Sequence, residues 1–242
     1  HDSWEDYEED FVNRVQINST LHDSTLVDTR DIGYFARELH GLDKIVALKG
    51  EVTGLVNDLH LRSFRFSCGQ HTSFTGDLSI NGLPDFSSSY MHVDAKQFTT
   101  SYADLNAIPD YPFTERKRLA LLKELSRLGI VRYKGKLDGF VSDFTTYGTF
   151  QTGIGSATSR LSVRTGSSSA DVAYKGRLVT RSFNLGPLVG YSGLATLDAD
   201  VEIEGKGADI RSLDAVLEGE IQNLHFNGYG YTNITVNGNF NE

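Results

Sequence analysis

Three features of the sequence predict a mainly β chain, an elongated antiparallel sheet folded about an apolar groove, with one or two short helices. Apolar and polar residues alternate in stretch after stretch, the period of a strand with one wet face. A five-residue pattern of apolar, polar, Gly, polar, apolar recurs along the chain. The two halves also carry a weak repeat of one another, as stacked supersecondary units do.

Composition sets the bounds. At 242 residues, with 39% hydrophobic and 11% aromatic side chains, the chain can bury a core, as one large all-β domain or two smaller units. No apolar run approaches the ~20 residues of a membrane-spanning helix. The net charge of −9 and a pI near 5.2 argue against a nucleic-acid partner. Phosphate binding needs clustered Lys and Arg, and the nearest run is Arg116-Lys117-Arg118. One cysteine, Cys68, excludes an internal disulfide framework and a multi-cysteine zinc site. It continues the alternation of Phe64 and Phe66 and is expected to be a buried apolar residue. His1 does not begin a natural reading frame, so a processed chain or an excised segment is expected.

Residues 1–27 read as an extension and first strand: Trp4, Tyr7 and Phe11 keep helical spacing, then Val15 and Ile17 switch to strand spacing. A first β-groove segment spans 28–112. It opens with a short helix near 29–40, capped by Asp28 or Thr29, with Ile32, Phe35 and Leu39 on one face and Gly41 as its stop. Strands follow at 45–54, 57–68, 71–82 and 89–100. The stretch 113–129 predicts a helix with Thr114 as cap, Leu119, Leu122, Leu125 and Leu128 on one stripe, and Gly129 beyond its end. A second β-groove segment, 130–242, holds strands at 130–140, 143–153, 157–165, 170–182, 195–205, 212–224 and 229–240. "NLGPLVGYSG" interrupts them as a loop or a turn of helix.

The glycines carry the sharper expectation. The five-residue pattern is centred on Gly50, Gly76, Gly135, Gly176, Gly219 and Gly238, Gly139 lies in step with Gly135, and Gly54, Gly82 and Gly205 fit the pattern's first half. A strand glycine costs about 0.5–1 kcal/mol, so about ten of them forgo about 5–10 kcal/mol, comparable with a domain's net stability. Glycines aligned across neighbouring strands would let the sheet bend sharply into a trough. The inner wall would be Val46, Leu48, Val52, Phe74, Leu78, Ile80, Tyr133, Leu137, Leu161, Val163, Val172, Tyr174, Leu178, Val201, Ile203, Leu217, Ile221, Val236 and Phe240. The outer wall would be charged and polar. An ordinary β-sandwich with a closed core is the alternative that the same alternation allows.

The repeat aligns "LKGEVTGLVNDLHLRSFRFSCGQHTS" with "YKGKLDGFVSDFTTYGTFQTGIGSATS". Lys49, Gly50, Gly54, Val56 and Asp58 match Lys134, Gly135, Gly139, Val141 and Asp143, and Phe64, Gly69, Thr72 and Ser73 match Phe150, Gly155, Thr158 and Ser159. "DIGYF" before "LKGEVTGLVNDLHL", "TSFTGDLSINGLPD", "GFVSDFTTYGTFQTGIG" and the ending "NGYGYTNITVNGNF" resemble TamB-like proteins of the AsmA-like superfamily, from about Asp28 onward. The resemblance implies a β-taco enclosing an apolar groove, in a long envelope protein of the translocation and assembly module. It implies a periplasmic segment of a membrane-anchored protein, with phospholipid acyl chains as cargo and an Omp85-type outer-membrane barrel as partner. It carries no catalytic motif and no cofactor.

The residues themselves show little chemistry. His1, His22, His40, His60, His71, His92 and His225 lack the spacing of a zinc site. Asp198, Asp200, Glu202 and Glu204 form a carboxylate ladder, better read as a solvated face than as a calcium site. Glu218 and Glu220 would make an acid–base pair only inside a cleft. Gly153-Ile-Gly155 is too short for a phosphate loop, and no Gly-x-Ser-x-Gly elbow is present. Asn18-Ser-Thr20 and Asn233-Ile-Thr235 match the glycosylation pattern, a frequent accident in chains rich in Asn and Thr. The expectation is a non-enzymatic lipid conduit. Two other readings stand beside it: an adhesive or structural sandwich binding a protein partner, and a fragment of an outer-membrane barrel.

Overall fold

Alternation this regular leaves each segment one stable option, a strand whose apolar side is shared with its neighbours. In the computed structural model of the chain, residues 11–32, 44–108, 123–166, 171–207 and 214–240 are described, apart from the side chains of Ser24, Asp31, Ile32 and Phe240. Of the expected N-terminal helix with Trp4, Tyr7 and Phe11, residues 11–14 are described and are helical; its first ten residues, most of the helix expected at 29–40 and the first part of that at 113–129 lie outside the described residues.

The strands are β1 (Gln16–Asp28), β2 (Ile45–Leu55), β3 (Asp58–Cys68), β4 (Thr72–Asn81), β5 (Tyr90–Ser101), β6 (Ile130–Phe140), β7 (Asp143–Thr152), β8 (Gly155–Arg164), β9 (Ala173–Asn184), β10 (Leu194–Lys206), β11 (Asp214–Phe226) and β12 (Tyr229–Phe240). Strand order in the sheet is the order in the sequence, from β1 to β12, and the order is not closed. The chain is therefore mainly β and antiparallel, with few short helices, as its alternation predicts. Helical turns cover Thr29–Ile32, Tyr102–Asn106 and, inside "NLGPLVGYSG", Gly186–Val189. The described end of the expected second helix, Lys123–Leu128, is a 3₁₀ helix.

The chain divides into two compact units. The first holds residues 1–120 and 136–141; the second holds 121–135 and 142–242. β6 thus contributes residues to each. The aligned repeat falls on equivalent elements, β2–turn–β3 in one case and β6–turn–β7 in the other.

In the first unit, β1 to β5 each pair antiparallel with the next, every ladder interrupted by one register shift. The last part of β6 meets β5 through polar outward side chains: His92 pairs with Asp138, Lys136 with Asp94 at 3.7 Å, and the Tyr90 and Phe140 rings meet edge to face at 5.3 Å. The turn before β4 is tied down by Asp104. Ser101 caps the Tyr102–Asn106 turn by accepting from the Asp104 N–H. The Asp104 carboxylate accepts from the N–H groups of Gln70 and His71 and from the Thr72 hydroxyl. Burial raises its pKa, but these donors outweigh that and hold it below the ordinary carboxylate value.

In the second unit, β7 to β12 form an unbroken series of antiparallel pairs. Both units use the same device where a strand carries an extra residue. Ser63 in β3 and Ser182 in β9 adopt left-handed φ of 48° and 46°. Each N–H, turned out of the ladder, donates to a carboxylate on the adjacent strand: Ser63 to Asp77 at 2.7 Å and Ser182 to Asp198. A bulge leaves a donor unpaired, and the carboxylate satisfies it.

Candidate functional site

Register decides which side chains share a face. In the first unit the cross-strand rows on one face run Ile17–Gly54–Leu59–Ile80–Met91, then Ser19–Val52–Leu61–Leu78–Val93, then Thr25–Leu48–Phe66–Phe74–Phe98. Val46 lies opposite Val27 on the same face. Between these rows Gly76 faces Phe64 on one side and Ala95 on the other. Phe66 and Phe74 stack at 5.8 Å, and Phe64 lies 6.5 Å from Phe66. Leu61, Phe64, Phe74 and Ala95 are buried, whereas Val46, Leu48, Val52, Leu78 and Ile80 stay half-buried. Leu137 is half-buried on β6, between outward Lys136 and Asp138.

The second unit repeats the arrangement. Its rows run Ala157–Thr180–Ala199–Ile221–Ile234, Ser159–Leu178–Val201–Gly219–Val236, and Leu161–Gly176–Ile203–Leu217–Gly238. A fourth row, Val163–Tyr174–Gly205–Ala215, reaches Phe240, whose side chain is outside the described set. Val172 precedes β9, its carbonyl accepting from the Gly207 N–H. Of the predicted wall residues in this unit, Val201 is buried, while Tyr133, Leu161, Val163, Val172, Tyr174, Leu178, Ile203, Leu217, Ile221 and Val236 are half-buried. The opposite face carries Arg160, Arg177, Glu202 and Glu218 in one row and Lys175 and Glu204 in the next.

The expected alignment of glycines is corrected by this register. In the second unit they are staggered: Gly176 lies between Leu161 and Ile203, and Gly219 between Val201 and Val236. Nor do they hold a hollow open. At Gly176 (φ +143°) and Gly219 (φ +151°) the carbonyls of Arg160 and Asp200 on the next strand occupy the space a Cβ would need. Backbone closeness of that kind, in a conformation L side chains rarely adopt, is what demands glycine there. Gly50 and Gly54 are crowded by the backbone of β3, at Arg62 and Phe64 and at Asp58 respectively. At Gly76 and Gly135 the carbonyls of Asp94 and Tyr147 on the next strand again come nearest, and at these positions and at Gly205 an aromatic side chain closes in as well. The Phe74 ring tip lies 2.9 Å from the would-be Cβ of Gly76, the Tyr133 hydroxyl lies 2.6 Å from that of Gly135, and the Tyr174 hydroxyl lies 2.8 Å from that of Gly205. Gly139 is buried at φ +137°. Only at Gly238, among the predicted groove glycines with surroundings described, does a Cβ meet nothing within 4 Å.

Tyr133 shows why. Its ring packs 4.7 Å from Phe150 and covers Gly148, while its hydroxyl shares a 2.8 Å hydrogen bond with Thr146. Burial raises its pKa, so the phenol stays neutral. Cys68 is also corrected: it is half-buried at the end of its row, not buried.

Sequence reasoning left out Leu59, Leu61, Phe64, Phe66, Val93 and Phe98 from the wall. The signal was a change of parity. Leu59 and Leu61 are odd, Phe64 and Phe66 even, because the bulge at Ser63 inserts one residue.

The carboxylate ladder of β10 lies on the polar face. Asp200 pairs with Arg177 at 2.7 Å, and hydrogen bonding to that guanidinium holds its pKa low. Glu204 pairs with Lys175 at 2.7 Å. Glu218 and Glu220 are exposed and lie opposite Glu202 and Asp200 on the same face. Among the described residues no group of three His, Cys, Asp or Glu is arranged to hold a metal ion. A cavity of about 490 Å³ in the second unit lies where Asp143, Arg164, Lys175, Glu204 and Lys206 end their strands, beside Val163 and Tyr174. Comparison with protein families, with curated proteins and with solved structures finds no match to this chain.

Proposed function

We propose that this chain is a periplasmic segment of a TamB-like envelope protein whose apolar sheet face shelters phospholipid acyl chains passing between inner and outer membranes, and so supports outer-membrane biogenesis. One observation carries the reading. In each unit a single sheet presents rows of Val, Leu, Ile and aromatic side chains that remain half-exposed, while charge is confined to the opposite side. Leaving so much apolar surface wet is costly unless something apolar covers it. Each methylene removed from water gains about 0.8 kcal/mol, so a sixteen-carbon chain needs about 12 kcal/mol of shelter. A face of interchangeable aliphatic rows supplies that without headgroup-specific chemistry. No catalytic step or cofactor is part of the reading, and an Omp85-type barrel is its proposed protein partner.

Native mass spectrometry of chain purified without detergent tests it. The reading expects bound phospholipid and, after delipidation, saturable uptake of a fluorescent fatty acid. Chain that carries no lipid and takes up no fatty acid would leave the face to a protein partner instead.

A further inference from the structure

The second unit has two chemically different ends. Turns β7–β8, β9–β10 and β11–β12 close one end, because alternate hairpins of an antiparallel series return on the same side. Residues 148–159, 182–197 and 221–234, which build those turns and their strand ends, contain no Asp, Glu, Lys or Arg, and His225 is their one histidine. At the chain-wide 23% of charged residues, segments of this length would hold about ten charges. The opposite end is charged, with Asp143 and Arg164 paired at 3.1 Å and Lys206, Asp171 and Asp214 close by in the sequence of its turns.

The neutral end is also aromatic and tied together. The Tyr191 and Phe226 rings lie 5.8 Å apart, and the Tyr191 hydroxyl donates to Asn227 Oδ1 at 2.9 Å. The Asn227 N–H donates to the Gly193 carbonyl at 2.7 Å, and the Asn184 N–H to the Ile154 carbonyl at 2.6 Å, so the three turns are linked. Tyr229 is 70% exposed, Tyr191 47% and Tyr231 46%. Cations stand at its margin: Arg127 donates to the Pro187 carbonyl at 2.9 Å, and Arg181 is exposed beside Ser182. Glu124 and Asp198 stand there too, and Asp198 already accepts from Ser182 and Asn223.

We infer that this end docks on a phospholipid surface, seating Tyr191, Tyr229 and Tyr231 at the level of the headgroups. Tyrosine suits that depth because its ring is apolar and its hydroxyl remains wet. In a chain of net charge −9, an end whose turns carry no carboxylate, with Glu124 and Asp198 only at its margin, approaches a membrane while desolvating little charge and meeting little repulsion from anionic lipid. The inference extends the proposed function by naming where one unit would meet its membrane, and it stands on different residues from the apolar rows.

Flotation of the full chain with zwitterionic phosphatidylcholine–phosphatidylethanolamine vesicles tests it. Wild type is expected to float with the vesicles, and Tyr229→Asp with Tyr231→Asp to reduce the bound fraction about tenfold or more. Tyr147→Asp, a 61% exposed tyrosine away from the turns, should leave it unchanged. In a Tyr229→Trp variant, indole emission should shift to the blue when vesicles are added, a readout independent of any folding defect in the Asp variant. Wild type that stays with the unbound fraction, equal loss in Tyr147→Asp, or an unshifted indole would overturn the inference. So would loss of self-association, without loss of flotation, in the double Asp variant, since a second copy would then cover the patch. Fatty-acid uptake is read separately: uptake without flotation removes the docking end alone, and flotation without uptake removes the conduit alone.

Discussion

Replacing Leu217 by Glu puts a carboxylate in the middle of an apolar row of the second unit, between Ile203 and Gly238 in register. The sheet should tolerate it. Leu217 is half-buried and no side chain crowds it from Gly238, so the carboxylate can reach water. A stability loss of about 1 kcal/mol, a fall in melting temperature of about 2–4 °C, is the expectation. Lipid binding should suffer more. A carboxylate with its hydration denies an acyl chain the cover of about three methylenes, about 2.4 kcal/mol, which weakens binding about fiftyfold. The assay is titration of delipidated chain with a fluorescent fatty acid. Glu218→Gln is the control: it is the next residue, exposed, on the opposite face, and should leave affinity unchanged. Wild-type affinity in Leu217→Glu, or an equal loss in Glu218→Gln, would refute the assignment of faces to functions.

Two further outcomes test the fold. Gly176→Ala, whose Cβ falls on the Arg160 carbonyl at φ +143°, should cost about 2–4 kcal/mol in urea unfolding, whereas Gly238→Ala, with open space around it, should change stability by less than about 1 kcal/mol. Asp104 supplies an acid-sensitive tie. Its folded-state pKa is lowered, so its contribution is present above the unfolded value near about 3.9 and is lost as pH falls through the lower folded value. Asp104→Asn should therefore lower stability by about 1 kcal/mol at neutral pH and make the acid end of the stability profile shallower.

Much of the fold was legible because strand alternation is local. The expected boundaries of β2 to β6 and of β12 fall within about a residue of the observed ones, and the Gly-Pro turn was bracketed as a loop or short helix. β1 was legible only at its start. Its sequence, QINSTLHDSTLVD, is mostly polar, and the register shift between Leu21 and Thr25 breaks the period. The Tyr102–Asn106 turn was missed because its Ser101 cap merges with the strand before it. Within each unit the register sets several of the predicted wall residues in shared rows, Leu48, Val52, Phe74, Leu78 and Ile80 in the first and Leu161, Val163, Tyr174, Leu178, Val201, Ile203, Leu217, Ile221 and Val236 in the second. What spacing does not encode is register, and register decides that Gly176 faces Leu161 and Ile203 instead of other glycines. It also hides the role of Asp77 and Asp198, which read as solvated charges until the bulged N–H groups of Ser63 and Ser182 are found beside them.

The central claim is that acyl chains lie on one side of these sheets and not the other. A photocrosslinking side chain placed in turn at Val52 and Leu217 on the apolar face, and at Glu51 and Glu218 on the polar face, measures this in cells. The account predicts phospholipid adducts at Val52 and Leu217 alone; no adduct at either, or equal yields on both faces, would contradict it.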